Sequence, residues 1–329
     1  MQGERLIKIL SRGAVRQPLW GVVLIFVAAA CSTPEAAVTP EPTPVAESTA
    51  AAEPTAVVEE AASGQVRVAL ASTDLAVGSN RLAFGILGGS GPVRGLQVKT
   101  GFVFVDGDPG AVLFETGARF VEWPGGVGGV YVIDGIEFDA AGRWGMIVDG
   151  VMEDGTAIVG QSGLVVNEHS ASPALGAAAP RSASKTASDV ADMSELTTSR
   201  NPDPALYEMS IADAIDGGRL TVVTFATPAF CQTATCGPQV EVLSSLRLRH
   251  ADSAFIHVEV YDNPNEIEGD LSNAIISPLM GEWGLLTEPY TFVIDADGFV
   301  VAKFEGFVTE QELEAAILAV PGAGDADGG

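Results

Sequence analysis

The sequence has little positive charge. It contains 17 Lys and Arg against 43 Asp and Glu in 329 residues, which gives a formal net charge of -26 at pH 7. Proteins that bind nucleic acids place clustered Lys and Arg against the phosphates, and the chain shows no basic patch of that kind. The composition therefore argues against a nucleic-acid partner.

Aromatic residues are also scarce, and the motifs of several enzyme classes are missing. An aromatic content of 7% with 38 Gly and 19 Pro favours turn-rich β structure and linkers over helical bundles. The chain has no Walker-type phosphate loop, nucleophile elbow or His-Glu-x-x-His helix, and its acidic loops lack the spacing of calcium ligands. We therefore expect no cofactor and no metal. The length of 329 residues is enough for about two domains.

The first 31 residues have the pattern of an export signal. Scattered basic residues precede an apolar stretch from Leu19 to Ala30, which is shorter than the ~20 residues that a membrane-spanning helix needs. Small residues before Cys31 and Ser-Thr-Pro after it resemble a bacterial lipoprotein signal. The resemblance implies that Cys31 is lipidated and anchors an extracytoplasmic protein to the cell membrane. Ala28 stands where that signal usually has Leu, so cleavage at the alanines, or an uncleaved anchor, stays open.

Cysteine is rare, with three in the chain. If Cys31 carries the lipid, Cys231 and Cys236 remain as one pair. Disulfides persist in the oxidising compartments outside the cytoplasm, so these two residues can bond to each other.

Three segments have the composition of linkers or tails. Residues 32–64 mix Pro, Thr, Ala and Glu without apolar periodicity, which predicts a disordered linker. Residues 168–204 form a second linker by the same criterion, and residues 321–329 form a disordered tail. Two compact domains, residues 65–167 and 205–320, are left between them.

The first compact region alternates short apolar runs such as "QVRVALA" and "RLAFGIL" with turn signals, a pattern that predicts a β-sandwich. Its end, "GVYVIDGIEFDAAGRWGMIVDG", resembles the last strands of small immunoglobulin-like domains. We therefore expect an immunoglobulin-like β-sandwich here. The aromatic residues on its strands are assigned to core packing: Phe84, Phe102, Phe104, Tyr131, Phe138 and Trp144.

The second compact region begins as a β–α–β unit. The continuous apolar runs "LTVVTFAT" and "AFIHVEVY" are typical of buried parallel strands, and an amphipathic helix lies between them. Two more strands, joined by an Asp-Gly turn, and a final helix with a capping box at Thr309 and Glu312 complete a three-layer α/β pattern. His257, inside the second run, is expected to be a core residue.

Cys231 and Cys236 flank the start of the amphipathic helix. Pro238 suits the first helical turn, which places Cys236 at the helix N-terminus, where unpaired N–H groups and the helix dipole favour a thiolate. A disulfide requires Cα atoms within ~4.4–6.8 Å. The intervening "QTAT" must therefore form a turn.

The order strand, "FATPAFC", helix, strand, helix, "TEPYTFVIDADG" and final helix is similar to the thioredoxin superfamily over nearly all of residues 205–320. The resemblance implies a thioredoxin-like fold in which Cys231 attacks a substrate sulfur and Cys236 resolves the mixed disulfide. It also implies that Pro289 is a cis-proline facing both cysteines. Substrate contacts are implied for the backbone of Glu288, Trp283 and Pro228.

The cysteine segment departs from the family motif. Four residues separate the cysteines instead of two, and the Gly-Pro pair follows the second cysteine; if "CGP" is aligned with the motif, the second family cysteine becomes Gln239. The buried acid that many thioredoxins use as a proton relay corresponds to Thr224. A relay is therefore missing at that position.

Three functions fit these residues. The first is extracytoplasmic thiol–disulfide exchange with the thiols or disulfides of exported proteins. The second is a binding module in which the disulfide is only structural. The third is copper handling, which in extracytoplasmic chaperones of this fold uses two cysteines and a histidine, although no His follows Pro289.

Overall fold

The computed structural model describes residues 64–321 apart from residues 127 and 153. The described residues all belong to one compact unit, Val58–Gly329. The predicted signal peptide with Cys31, nearly all of the predicted 32–64 linker and nearly all of the predicted tail lie outside the described residues. Within the described part, no helix is long and apolar enough to cross a membrane.

Eight strands form the first sheet. They are β1 (Gln65–Leu70), β2 (Gly78–Gly88), β3 (Gly91–Pro92), β4 (Val98–Phe104), β5 (Phe114–Glu122), β6 (Gly129–Phe138), β7 (Gly142–Val151) and β8 (Ala157–Val166). Their spatial order is β1-β8-β7-β4-β5-β6-β2-β3, and β1 also pairs with β2. That additional pairing closes a barrel of seven strands, to which the two-residue β3 is appended.

The predicted immunoglobulin-like sandwich is therefore wrong. A sandwich has two separate sheets with edges, whereas β1 here pairs antiparallel with β2 and parallel with β8. Closing the sheet satisfies the backbone groups that open edges would expose. Short strands of alternating pattern suit either architecture, and the two-sided pairing of β1 decides between them.

The aromatic residues assigned to packing do fill the core of this barrel. Phe84, Phe102, Phe138 and Trp144 are at most 1% exposed. The Trp144 ring lies 5.0 Å from the ring of Phe138, in an edge-on geometry that aromatic pairs favour. Tyr131 is also 1% exposed, whereas Phe104 is partly buried and packs against this core. The packing assignment is thus confirmed, and it holds in a barrel as it would in a sandwich.

The second sheet has four strands. They are β9 (Thr221–Ala226), β10 (Ala254–Glu259), β11 (Tyr290–Ile294) and β12 (Val300–Glu305), in the order β10-β9-β11-β12. The β10 and β9 strands run parallel, while β11 is antiparallel to both β9 and β12. Every residue of β9, β10 and β11 is buried, which accounts for their unbroken apolar runs.

Four helices cover this sheet. They are α1 (Ile211–Asp216), α2 (Cys236–Arg247), α3 (Pro278–Glu282) and α4 (Glu310–Leu318). Val222 belongs to the apolar cluster built with α2 and α4, and Val223 belongs to the cluster built with α1 and α3. Successive strand residues point to opposite faces, so the two clusters lie on opposite faces of the sheet.

The predicted three-layer α/β thioredoxin-like fold is also wrong as a description of this chain, because the regular structure of the described residues is mostly strand: a closed barrel with a small second sheet. Helices α1 and α3 have only six and five residues. Irregular chain from residues 168–204, the predicted second linker, completes the cover on their face. Ala179 belongs to that cluster, and the Ser182 hydroxyl accepts a 2.9 Å hydrogen bond from the Trp283 indole.

Polar contacts connect the barrel to the second sheet. Asp74, between β1 and β2, accepts hydrogen bonds from the hydroxyls of Ser170 and Ser172, and its carboxylate lies 3.3 Å from the Lys303 ammonium of β12. Glu305, at the end of β12, accepts from the backbone N–H of Thr73 at 2.8 Å. The two sheets are therefore joined through partly buried carboxylates.

Candidate functional site

The loop between β9 and α2 brings the two cysteines together. The Cys231 backbone N–H donates a hydrogen bond to the Thr227 carbonyl at 3.2 Å, and the Cys231 carbonyl accepts one from the Ala234 N–H at 3.2 Å. Ala234 has a φ of 57°, a left-handed conformation that reverses the chain within a tight turn. The Cα atoms of Cys231 and Cys236 lie 5.9 Å apart and the sulfurs form a disulfide. The expected turn over "QTAT" is therefore present.

The two sulfurs differ in accessibility. Cys236 is the first residue of α2 and is 0% exposed. Cys231 lies in the loop, is only partly buried, and has its Sγ 3.3 Å from the Thr233 hydroxyl. A molecule that approaches the disulfide from solvent therefore meets Cys231 first.

Pairing between β9 and β11 brings the residues before β11 alongside the disulfide. Tyr290 lies opposite Phe225 in antiparallel register, so Pro289 and Glu288 continue beside the end of β9. The Glu288–Pro289 peptide bond is cis, as the resemblance implied. The side chain of Glu288 turns to the disulfide: its carboxylate accepts from the Thr227 backbone N–H at 2.6 Å and lies 3.5 Å from the Cys236 sulfur.

The carboxylate of Glu288 has an unusual environment. Burial, followed by the negative charge of Glu259, raises its pKa to about 7, against the lowering effect of the Thr227 N–H. Glu259, at the end of β10, is 6% exposed, and burial raises its pKa as well. One carboxyl group with a pKa of about 7 therefore lies beside the disulfide, and a second, buried carboxyl group is close enough to raise that pKa.

A polar network connects these two acids. Glu259 accepts from the backbone N–H and the hydroxyl of Thr198 at 2.7 and 2.9 Å. The Thr198 hydroxyl in turn lies 3.2 Å from the Thr227 hydroxyl and accepts from the Ala229 N–H at 3.1 Å. Thr198 belongs to the predicted 168–204 linker, so that segment contributes directly to the loop that holds Cys231.

The other predicted substrate contacts have different positions. Trp283 is 0% exposed and packs between Phe225 and Phe292, with ring centroids 5.1 and 4.9 Å away. It lies in the core rather than on a surface that a substrate contacts, because its large apolar ring fills the space under the β9–β11 pair. Pro228 lies in the cysteine loop and is partly buried.

The Glu288 side chain is the feature that sequence reasoning missed. At the position where the family has its buried acid, the Thr224 hydroxyl lies 2.8 Å from the Thr291 hydroxyl on β11. The acid near the buried sulfur is Glu288 instead, two positions before the neighbouring strand β11. The only sequence signal was a Glu directly before a proline that precedes an apolar strand, and the β9–β11 register was needed to interpret it.

His257 does not join the sulfurs. It is 2% exposed; its Nε2 lies 3.0 Å from the Ala226 carbonyl and its Nδ1 lies 2.6 Å from the Tyr207 hydroxyl. Burial lowers its pKa to about 4, so it is a neutral core residue, as expected. The sulfurs and a Glu288 oxygen lie within 4.8 Å of one another, but sulfurs bind metals as thiolates, so this trio has no such donors while the disulfide is closed.

Comparisons with known proteins give weak likenesses. No family model and no curated protein matches the chain. Among solved structures, CopC from Methylosinus trichosporium OB3b is 13% identical, StoA from Bacillus subtilis is 18% identical, and the exposed lipoprotein thioredoxin Etrx1 from Streptococcus pneumoniae strain TIGR4 is 17% identical. They cover 30%, 30% and 31% of this chain, and 93%, 82% and 93% of their own chains. The TM-scores are 0.20, 0.25 and 0.24, so function rests on the site itself.

Proposed function

We propose that the protein is a thiol–disulfide oxidoreductase that exchanges its Cys231–Cys236 disulfide with thiols or disulfides of exported proteins. The asymmetry of the pair carries the proposal: one sulfur is accessible in a loop and the other is buried at a helix start. Disulfide exchange needs an accessible sulfur for the mixed disulfide and a second sulfur held close enough to resolve it. A purely structural disulfide needs neither feature.

The chemistry runs in two balanced steps. In the reduced protein the Cys231 thiolate attacks one sulfur of a substrate disulfide, which forms a mixed disulfide and releases the other substrate sulfur as a thiolate. The Cys236 thiolate then attacks the Cys231 sulfur, which closes the protein disulfide and releases the second substrate thiolate. The substrate gains two electrons, the protein dithiol loses two, and the protons of the protein thiols end on the substrate thiols. An external dithiol restores the reduced protein by the same steps in reverse.

The start of α2 assists the second step, in which Cys236 attacks. The N-terminal N–H groups and the dipole of a 12-residue helix stabilise negative charge at Cys236. The loop geometry around Ala234 keeps the Cα atoms at 5.9 Å, within the range that a disulfide spans. The sulfurs can therefore re-form their bond without backbone movement.

The test is to trap the mixed disulfide. Cys236→Ser removes the resolving sulfur, so covalent complexes between Cys231 and exported proteins should accumulate and should disappear when a reductant is added. Cys231→Ser is the matched control, because it removes the attacking sulfur and should give no complexes. If neither variant forms complexes, and the wild-type pair resists reduction below about −300 mV, the disulfide is a structural staple of a binding module.

We further propose that the protein acts outside the cytoplasm, anchored through a lipid on Cys31. The export pattern before Cys31 supports this location, and an oxidising compartment suits a disulfide-bonded protein. In cells given a labelled fatty acid, the wild-type chain should carry the label and fractionate with membranes. Cys31→Ser should abolish both, and retention of both would contradict the anchor.

A further inference from the structure

We propose that Glu288 is the general acid–base residue of this disulfide, exchanging a proton with the Cys236 sulfur each time the bond opens or closes. The proposal rests on the proposed function, because only a disulfide that turns over needs such a residue. It assigns the missing proton relay to the residue before the cis-proline, just ahead of β11, whereas the sequence resemblance places it on β9.

The geometry gives Cys236 few proton acceptors. Its side chain is 0% exposed, so a proton that leaves the thiol must first pass to a group of the protein. One oxygen of Glu288 lies 3.5 Å from the sulfur, within the range of a hydrogen bond that involves sulfur. Glu288 is itself only partly buried, so its carboxyl group can return the proton to solvent.

The position of this carboxylate is fixed by two independent constraints. The Thr227 backbone N–H donates to the same oxygen at 2.6 Å, and the antiparallel register of β11 with β9 sets the backbone on which Glu288 lies. The Thr227 donor is a main-chain N–H directly after β9 and not a mobile side chain. The carboxylate is therefore held against the sulfur rather than swinging freely.

The charged and titratable groups around Glu288 raise the pKa of its carboxyl group towards neutral pH. Cys236 and Cys231 face it from the α2 loop, Glu259 faces it from β10, and Tyr261, which follows β10, is close enough for the Glu288 charge to raise its pKa. Burial and the second carboxylate bring the pKa of Glu288 to about 7. A group of that pKa can both give and accept a proton near neutral pH.

The step balances in each direction. When a substrate thiolate attacks Cys231, the S–S bond breaks, Cys236 leaves with the electron pair, and neutral Glu288 protonates it. When the mixed disulfide is resolved, ionised Glu288 takes the Cys236 proton as that sulfur attacks Cys231, and the substrate leaves as a thiolate. Resolution should therefore accelerate as the pH rises through about 7, and opening should slow.

A two-phase reaction with a chromogenic aryl disulfide tests this. All proteins carry Cys31→Ser, so that only Cys231 and Cys236 can react, and are first reduced and freed of reductant. Dithiobis(nitrobenzoate) should then release one thionitrobenzoate as the Cys231 thiolate attacks it, and a second as Cys236 attacks Cys231 and closes the protein disulfide. Glu288→Gln keeps an oxygen for the Thr227 N–H but cannot take a proton. The first phase should be no slower than in wild type, and the second should be at least about tenfold slower at pH 7. The plot of the second-phase rate against pH should also lose its inflection near pH 7.

Glu282→Gln is the matched control, because it removes one negative charge from an exposed position on α3 and should change neither phase. An unaltered second phase in Glu288→Gln, with its inflection retained, overturns the role of Glu288. Absence of the first phase in wild type would instead overturn the proposed function. If Glu288→Gln does not fold, the wild-type profile decides, because a second phase without an inflection between pH 6 and 8 overturns the proposal.

Discussion

Replacing Trp283 tests whether this residue belongs to the core or contacts the substrate. The sequence resemblance assigned it to substrate contact, whereas its ring is 0% exposed between Phe225 and Phe292. Its indole N–H donates to the hydroxyl of Ser182 at 2.9 Å, and Ser182 is 2% exposed. Replacing Trp283 should therefore change stability and leave the reactivity of Cys231 intact.

The magnitude follows from two contributions. Trp283→Phe leaves the Ser182 hydroxyl buried without that partner, which costs about 1–3 kcal/mol. The lost second ring leaves a partial cavity, which adds about 1 kcal/mol on the scale of core truncations. The free energy of unfolding should therefore fall by about 2–4 kcal/mol, which a domain of ordinary stability, ~5–15 kcal/mol, survives.

Urea unfolding at pH 7 with the disulfide intact, followed by far-UV circular dichroism, measures this loss. Ser182→Ala breaks the same hydrogen bond from the other side, and the double variant should cost less than the sum of the two, because no polar group is left unpaired. The first phase of the aryl disulfide reaction should be unchanged in each variant. A Trp283→Phe protein with wild-type stability and a slower first phase would refute the core assignment.

The acid limit of stability and a tight glycine contact give two further tests. Burial by itself raises the pKa of Asp74, but hydrogen bonds from Ser170 and Ser172 and the Lys303 charge lower it to about 2. Its stabilisation, on the order of 2 kcal/mol, is complete about one pH unit above the ordinary pKa of 3.8 and is lost progressively as the pH falls through 3.8 towards 2. The stability difference between wild type and Asp74→Asn should shrink over that range, and a constant difference would contradict the shift. Gly284 has a φ of +64°, and a Cβ there would clash with the Ala171 carbonyl oxygen. Gly284→Ala should therefore lower the free energy of unfolding by more than about 1 kcal/mol, whereas Gly281→Ala, with open space around it, should not. Equal urea midpoints for the two variants would argue against that contact.

Local chemistry explains why much of the site could be predicted from the sequence. A loop between two cysteines five positions apart must turn if they are to bond, and the turn at Ala234 is present. Unbroken apolar runs identified β9, β10 and β11 as buried strands, and alternation identified the barrel aromatics as core. These inferences depend on residues that are neighbours along the chain.

Other features depend on which strands become neighbours in space. The alternating pattern of β1 is the same whether β1 is an edge strand or pairs with a strand on each side, so the sequence predicts a sandwich where the structure has a barrel. The segment 168–204 has the composition of a linker, yet Thr198 binds Glu259 and Ser182 binds Trp283. The short polar side chains of this segment make these hydrogen bonds only because the folded second sheet places Glu259 and the Trp283 indole beside them.

By itself the sequence determined the two sulfurs, their turn and the strands around them, because turn chemistry and hydrophobic periodicity act over a few residues. Only the tertiary structure decided that β1 closes a barrel and that Glu288 reaches Cys236. Both results come from pairing between strands far apart in sequence, and a residue's own type does not encode the register of such a pair.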